Sequence, residues 1–445
     1  MSTSADRPSA PSRSYGRSAS ILAVGIGVTA LVTYAYFALA SHALSDRAYG
    51  GITLLWSVVF AVTSILYRPV EQLLSRTIAD RDARGQTGND HLRVAATIQL
   101  ALGALFAVVA LILHHPLQHG LFGGSSTLYW VMIGAVLCYA ASYFARGFLA
   151  GHHQFGLYGL LVFLESSSRC SFAVVAVVGI ATGQSVVALG IAAAPLFSLA
   201  VVPWALRRRL RGDAGAAAAA AADPDELAVT DSTPEQAEFT LSHGAGFAGA
   251  VLLIMISEQT FLNGGPLLVK AAEGHQGTAL AGFAFNVLLI ARGPLVLFQA
   301  IQTSILPHLT KLRAGGEVDP FRRSINVTLA AIAVFAGAVA LAMLAVGPEA
   351  MHLAFGSGGH YARGGLVLVS GGMGLYLMAA TLNQAALARG KTREAALCWV
   401  GSAIAFVVVL LGPHMSNRVL QVELAYVGGA LLLCGLLYGL YRRAE

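Results

Sequence analysis

The chain has 445 residues, of which 56% are hydrophobic and 11% are charged. Soluble domains carry about 25% charged residues, so this composition excludes a soluble globular protein and predicts an integral membrane protein. The formal net charge of +6 would suit a nucleic-acid partner. The basic residues are spread over short interhelical loops, however, which excludes a nucleic-acid-binding patch.

Apolar runs long enough to span a bilayer recur along the whole chain, since ~20 residues at 1.5 Å rise cross the ~30 Å hydrocarbon core. We predict twelve transmembrane helices at 20–41, 49–68, 94–113, 127–148, 157–182, 184–206, 242–265, 279–303, 325–346, 364–387, 394–412 and 420–441. The fold class predicted is therefore all-α. Residues 1–18 form a disordered cytoplasmic tail, 19–206 an N-terminal six-helix bundle, 207–241 a cytoplasmic linker and 242–445 a C-terminal six-helix bundle.

The basic residues indicate the orientation of these helices. With a cytoplasmic N-terminus, 22 of the 28 lysines and arginines fall on the cytoplasmic side, and only Arg47, Lys270, Arg363 and Arg418 fall outside. This distribution follows the positive-inside rule and places both termini in the cytoplasm. Residues 42–48, 114–126, 266–278, 347–363 and 413–419 then form the predicted external segments.

The two halves resemble each other weakly. Residues 50–78 align with residues 281–309 at a constant offset of 231, and both segments end in a basic loop. Because each half holds an even number of helices, we expect parallel repeats related by an axis along the membrane normal.

No catalytic or metal-binding motif is present. The cysteines lie singly inside apolar runs, which is typical of small buried hydrophobes, and the histidines of HHPLQHG fit a solvated loop better than a metal site. We predict a protein that is not an enzyme and has no metal and no cofactor. A membrane-embedded glycan polymerase would need a larger external loop, and a non-transporting scaffold is the remaining alternative.

Four ionisable residues lie well inside predicted spans. Glu165 and Arg169 are four residues apart with the acid first, which favours a pair on one helix face. This pair either locks its helix into the bundle or presents Arg169 to a substrate cavity. Glu258 either pairs with Arg292 or carries a coupling proton or sodium ion.

Other polar residues have simpler explanations. We expect Arg68 and Glu71, at the end of the second span, to reach the lipid headgroups. For Asn383 and Gln384 we favour hydrogen bonds between helices over a place in the cavity.

Residues 280–312 combine an apolar run with an arginine near its centre. Arg292 is followed by Gly293 and Pro294, which bends the helix and removes a backbone donor. Because a guanidinium facing lipid costs several kcal/mol, Arg292 should face a partner or a water-filled cavity. At 100° per residue, Gln299 and Thr303 share its face, so this helix is predicted to line a transport pathway.

Three segments resemble a known family. AGFAFNVLLIARGPLVLFQAIQTSILPHL resembles helix eight of bacterial polysaccharide flippases, and LSDRAYGGITLL (44–55) is similar to the start of their helix two. ARGFLAGHHQFGLYG followed by ESSSR (145–169) is similar to the link between their helices four and five. The chain thus resembles the multidrug/oligosaccharidyl-lipid/polysaccharide (MOP) exporter superfamily, in its O-antigen-flippase-like branch.

The resemblance implies two MATE-like bundles that flip a polyprenyl-pyrophosphate-linked glycan across the bacterial cytoplasmic (inner) membrane by alternating access. Arg292 and Arg169, with Gln299 and Thr303, are then expected to bind substrate, and Glu165 and Glu258 to couple H+ or Na+ or to pair with the arginines. Membrane lipid, the lipid-linked glycan and, as candidates, glycan-assembly enzymes are the expected partners. The alternative is a MATE-type cation-coupled multidrug exporter, although the N-terminal bundle offers that function only Glu165.

Overall fold

A computed structural model describes residues 11–84, 88–207, 241–290, 318–356, 361–413 and 415–443 of the chain, and every regular element in these ranges is helical. The long helices are α1 Pro11–Ala43, α2 Asp46–Ala83, α3 Asp90–Ile112, α4 Ser126–Gly151, α5 Phe155–Val178, α6 Gln184–Ser198, α7 Leu241–Glu273, α8 Gly277–Ile290, α9 Val318–Phe355, α10 Arg363–Ala388, α11 Thr392–Leu411 and α12 Arg418–Arg443. Short segments are a π-helical turn at Pro116–Leu121 and 3-10 turns at Leu199–Val201 and Gly274–Gln276. Beyond its 3-10 turn, α6 continues to Arg207.

The helices are those of a membrane protein. Within the described ranges, ten of them are long and apolar enough to cross a bilayer. Each predicted span overlaps one described helix, although α8 is described only as far as Ile290. The count of twelve spans, the orientation and the domain boundaries stay predictions.

The helix of the second predicted span, 49–68, does not end where the span ends. α2 runs 38 residues from Asp46 to Ala83 with Pro69 inside it, a length of about 57 Å. A proline removes one intrahelical hydrogen bond, but neighbouring helices can support the backbone around it. α2 therefore continues well beyond the point where its apolar run stops.

Helix packing follows the same scheme in both halves. In the first half α1 packs on α5, α3 and α6 pack on α4, and α5 packs on α6. In the second half α7 packs on α11, α9 and α12 pack on α10, and α11 packs on α12. Each second-half pair is a first-half pair shifted by six helices, which is the packing that parallel repeats would produce.

Each half has its own aromatic-rich core, and α8 bridges the two. Tyr36 and Tyr139 are fully buried in the first core, and Phe261 and Phe406 are buried in the second. Ala281, Phe285 and Leu289 of α8 belong to the first core. Because these residues are spaced four apart, one face of α8 inserts into the opposite half.

The halves meet tightly at the predicted external end. Gly50 of α2 lies against Gly282 of α8, and a Cβ at Gly282 would come within 3.2 Å of the Gly50 Cα. Tyr49 OH donates a hydrogen bond to Asn286 Oδ1 (2.5 Å), and Asn286 Nδ2 donates to Tyr361 OH (3.1 Å). We call Tyr49, Asn286 and Tyr361 the external latch. Burial raises the pKa of the Tyr361 phenol, so it stays uncharged.

Candidate transport site

Glu165 is the centre of a buried polar cluster in the first half. Its side chain is 3% exposed, and it accepts hydrogen bonds from Tyr139 OH (2.9 Å), Ser142 Oγ (3.1 Å) and Arg146 Nη2 (2.5 Å). The expected pair with Arg169 exists, but its nitrogen–oxygen distance of 3.8 Å makes it the loosest of these contacts. Glu165 is thus held mainly by donors from α4, and the sequence spacing identified only the weakest of its partners.

Arg169 lies over two aromatic rings, Trp56 and Phe60, which stack on each other. Its guanidinium carbon is 4.5 Å from the centroid of the Trp56 ring and 5.5 Å from that of Phe60, which are distances at which cation–π attraction operates. The side chain is 3% exposed, and its Nε and Nη1 atoms have no hydrogen-bond partner in the described structure. A role for Arg169 in binding substrate stays a prediction.

The cluster extends along α2. Tyr158 OH donates to Glu71 Oε1 (3.0 Å), and the charges of Arg146 and Arg68 both act on the Glu71 carboxylate. We name Arg68, Glu71, Arg146, Glu165 and Arg169 the charge chain, because basic and acidic side chains alternate along it. Glu71 is thus engaged inside the protein and does not reach out to the lipid headgroups as expected, whereas the same expectation for the half-buried Arg68 stays a prediction.

The charge chain leads inward from the predicted cytoplasmic side. Glu165 and Arg169 lie about 15 and 21 Å along α5 from Phe155, which begins at that side. The charge chain therefore extends to roughly the middle of a hydrocarbon core about 30 Å thick.

Glu258 faces the charge chain from the second half. It lies on α7 and is partly exposed, and its charge acts on Arg68. The expected partner, Arg292, lies outside the described residues, as do Gln299 and Thr303, so their places in the site stay predictions.

Several members of the cluster escaped sequence reasoning. Tyr139, Ser142 and Arg146 are spaced three and four residues apart, so they share one face of α4. Arg146 also lies inside the predicted span 127–148, although it was counted with the cytoplasmic loops. A polar stripe within the predicted span 127–148 is the sequence signal that could have identified this site.

Two further expectations concern polar and metal-binding residues. Trp399 Nε1 donates to Asn383 Oδ1 (3.1 Å) between α11 and α10, so the interhelical role favoured for Asn383 is confirmed. In the ranges the structure describes, no group of histidine, cysteine or acidic residues could hold a metal ion.

Comparison with known sequences yields relatives without an assigned activity. No family model matches the chain. Uncharacterised proteins of Mycobacterium tuberculosis and Mycobacterium bovis are 26% identical over 441 residues, which cover 95% of this chain and 90% of each relative.

Solved structures give a clearer result. An inward-facing multidrug-resistance MATE family transporter of the MOP superfamily has a TM-score of 0.65 at 15% identity, covering 95% of this chain and 98% of its own. The chain has the MATE fold. A mutant of the Vibrio cholerae MATE transporter VcmN has a TM-score of 0.60 at 16% identity, covering 96% of this chain and 98% of its own. An outward-facing MATE transporter has a TM-score of 0.59 at 15% identity, covering 96% of this chain and 95% of its own.

Proposed function

We propose that this protein is a flippase of the bacterial cytoplasmic (inner) membrane that moves a polyprenyl-pyrophosphate-linked oligosaccharide, or a related polysaccharide precursor, between leaflets by alternating access. The MATE fold supports a transporter. The headgroup passes between the two halves while the polyprenyl tail stays in lipid, because a charged headgroup crossing hydrocarbon unaided is prohibitively costly.

The observation that carries the proposal is a set of unused guanidinium donors. Arg146 Nε and Arg169 Nε and Nη1 are buried and have no hydrogen-bond partner in the described structure. Buried donors without partners each cost about 1–3 kcal/mol, so such groups call for an explanation. A phosphate would supply what they lack, since it accepts forked hydrogen bonds from arginine.

The balance of charge also favours an anion. The charge chain holds three arginines and two glutamates, so it carries one excess positive charge, which Glu258 offsets from the second half. An arriving phosphate would compete with Glu258 for Arg68. Binding of substrate would thereby weaken an attraction between the halves on the side from which the substrate enters.

The closed external end fits the first step of such a cycle. The external latch and the contact between Gly50 and Gly282 hold the halves together at the predicted external end. The TM-score is also higher against the inward-facing MATE structure than against the outward-facing one. We therefore assign this conformation to the state that receives substrate from the cytoplasm.

Substitution of arginine by lysine tests the proposal. Arg146→Lys and Arg169→Lys keep the positive charge beside Glu165 but remove the forked donors. In proteoliposomes that report headgroup accessibility of a lipid-linked oligosaccharide, each variant should lower the transfer rate about tenfold, since a hydrogen bond to a charged group contributes ~1.5–3 kcal/mol. The matched control is Arg363→Lys, because Arg363 is exposed and lies at the predicted external end of the protein. Transfer at the wild-type rate by both variants would exclude the charge chain from substrate binding.

Arg292→Ala tests the residue predicted from sequence. We expect it to abolish transfer while protein level and membrane insertion stay normal. Undiminished transfer would remove Arg292 from the mechanism.

A cation-coupled multidrug exporter is the second candidate. It is favoured by the multidrug-resistance MATE transporter among the structural neighbours and by the partly exposed Glu258 carboxylate. If wild-type proteoliposomes extrude small cationic drugs against an ion gradient and move no lipid-linked headgroup, the exporter is correct. Glu258→Gln should then stop the extrusion.

A further inference from the structure

A second buried carboxylate lies far from the charge chain. Glu423 belongs to α12, near the predicted external end of the second half, and is 3% exposed. It lines a cleft of about 490 Å³ between α8, α10 and α12, together with Leu280, Phe283 and Gly365. Its position at the start of an apolar run had placed it outside the predicted set of intramembrane ionisable residues.

The carboxylate rests directly on the backbone of α10. A Cβ at Gly365 would overlap both of its oxygens, so only glycine accommodates this contact. Gly365 lies in the first turn of α10, which begins at Arg363 and has no side-chain cap. The backbone N–H groups of a first turn carry partial positive charge, and this charge stabilises a nearby anion.

Basic residues packed around the cleft are already engaged. Arg363 of α10 donates to Glu349 (2.6 Å), and Arg418 of α12 bonds to Glu273 (2.5 Å). The Lys270 ammonium, near the end of α7, donates to the Gly274 carbonyl (2.7 Å) and to Thr278 Oγ1 (2.7 Å). The described part of α8 contains no ionisable residue. On α9, the ionisable residues nearest to the predicted external end of the helix are Glu349 and His352.

Within the described ranges, Glu423 is therefore unpaired. Among the described residues, none forms an ion pair or a hydrogen bond with its carboxylate. An ionised carboxylate buried without a counter-charge is costly, and such a group binds a proton instead. The cleft gives that proton a route to water, and the first turn of α10 stabilises the anion once the proton has left.

One side chain of the cleft packs against the external latch. Phe283 lines the cleft, and its ring centroid lies 5.4 Å from that of Tyr361. Tyr361 in turn accepts the hydrogen bond from Asn286 that continues to Tyr49. Phe283 thus lies between the cleft that holds Glu423 and the external latch. A change in charge at Glu423 therefore acts close to the contact that closes the halves.

We propose that Glu423 is a proton-binding site that exchanges its proton with the outside through this cleft, and that its protonated form stabilises the closed external latch. Proton binding at Glu423 does not depend on the proposed function. The role of this proton as the coupling ion of transport does rest on it. The step is a simple transfer of H+ between water and a carboxylate oxygen.

Infrared difference spectroscopy of the purified full-length protein tests proton binding without transport. Subtracting the spectrum of Glu423→Gln from that of wild type at neutral pH should leave the carbonyl band of a buried protonated carboxylic acid, and the band should vanish at alkaline pH. Glu349→Gln, an exposed glutamate at the same end, should produce no such band. Absence of the band from the Glu423→Gln difference would show an ionised Glu423 and overturn the proposal.

A second variant covers the case in which Glu423→Gln does not fold. Gly365→Ala places a methyl group where the carboxylate lies, so it should displace Glu423 and change the pH at which half of the band is lost. An unchanged midpoint, with the fold intact, would contradict the site.

Coupling is measured separately in proteoliposomes. An imposed pH gradient should change the rate of headgroup transfer by wild type and by Glu349→Gln, but not by Glu423→Gln. An equal response by Glu423→Gln would exclude it as the coupling group. If wild type moves no lipid-linked headgroup while the infrared band is present, the flippase function fails and the proton site stands.

Discussion

At the scale of single residues, we expect Glu165 to contribute strongly to the stability of the first half. It holds two arginines and accepts two hydroxyl hydrogen bonds, all in a buried setting. Breaking a buried ion pair by removing one partner leaves an uncompensated charge, at a cost of about 3–5 kcal/mol.

Glu165→Gln should therefore lower the thermal stability of the detergent-solubilised protein strongly. Adding Arg146→Gln to the same chain should restore part of the loss, because it removes the charge left unpaired. Thermal unfolding followed by tryptophan fluorescence measures both effects. A double variant less stable than Glu165→Gln alone would show that the ion pair is not the source of the stability.

This site was only partly predictable from sequence. The spacing of Glu165 and Arg169 on one helix predicted their proximity, because residues four apart share a helix face. Arg146, at 2.5 Å from Glu165, lies 19 residues earlier on another helix, and no sequence period links the two. Glu423 was missed for a different reason, since the sequence does not distinguish an acidic residue at the start of an apolar run from one in solvent.

At the scale of helices, the crossing of α2 and α8 controls closure of the predicted external end. A Cβ at Gly50 would lie only 1.9 Å from the carbonyl oxygen of Thr278, which is backbone and cannot rotate away. Any side chain at Gly50 must therefore push α8 away from α2.

Gly50→Ala should open the external end. A cysteine introduced at Asn286 in a cysteine-free background should then react faster with a membrane-impermeant thiol reagent than the same cysteine beside native Gly50. Gly401→Ala is the control, because a Cβ there meets no atom within 4 Å. Equal reaction rates with Gly50→Ala and Gly401→Ala would show that this crossing does not set the closure.

Helix positions were more predictable than helix lengths. Each apolar run overlaps a described helix because lipid burial requires both an apolar surface and paired backbone groups. The end of α2 was not predictable, because the helix continues through Pro69 beyond its apolar run, where Tyr158 holds Glu71 inside the protein.

At the scale of the whole molecule, two cores that each lie mainly within one half should behave as separable units. The repeated packing scheme places most contacts of α1–α6 within the first half and those of α9–α12 within the second. The domain boundary predicted in the linker 207–241 can be tested on this basis.

Two fragments divided between residues 220 and 221 should co-purify when expressed together and retain the headgroup transfer that we propose for the intact protein. A chain divided between residues 86 and 87 should lose transfer, because that break separates α2 from α4 within one core. Failure of the first pair to associate would contradict two independently folding bundles.

The stacking of Arg169 on Trp56 has an optical consequence. Indole emission depends on nearby charge, and a guanidinium 4.5 Å from the ring is a strong local field. In a variant with Trp130, Trp204 and Trp399 replaced by phenylalanine, Trp56 is the remaining tryptophan. Its emission wavelength and intensity would change whenever a bound anion draws Arg169 away from the ring. Under the proposed function, Trp56 would therefore report the arrival of substrate at the inner end of the charge chain without any added label.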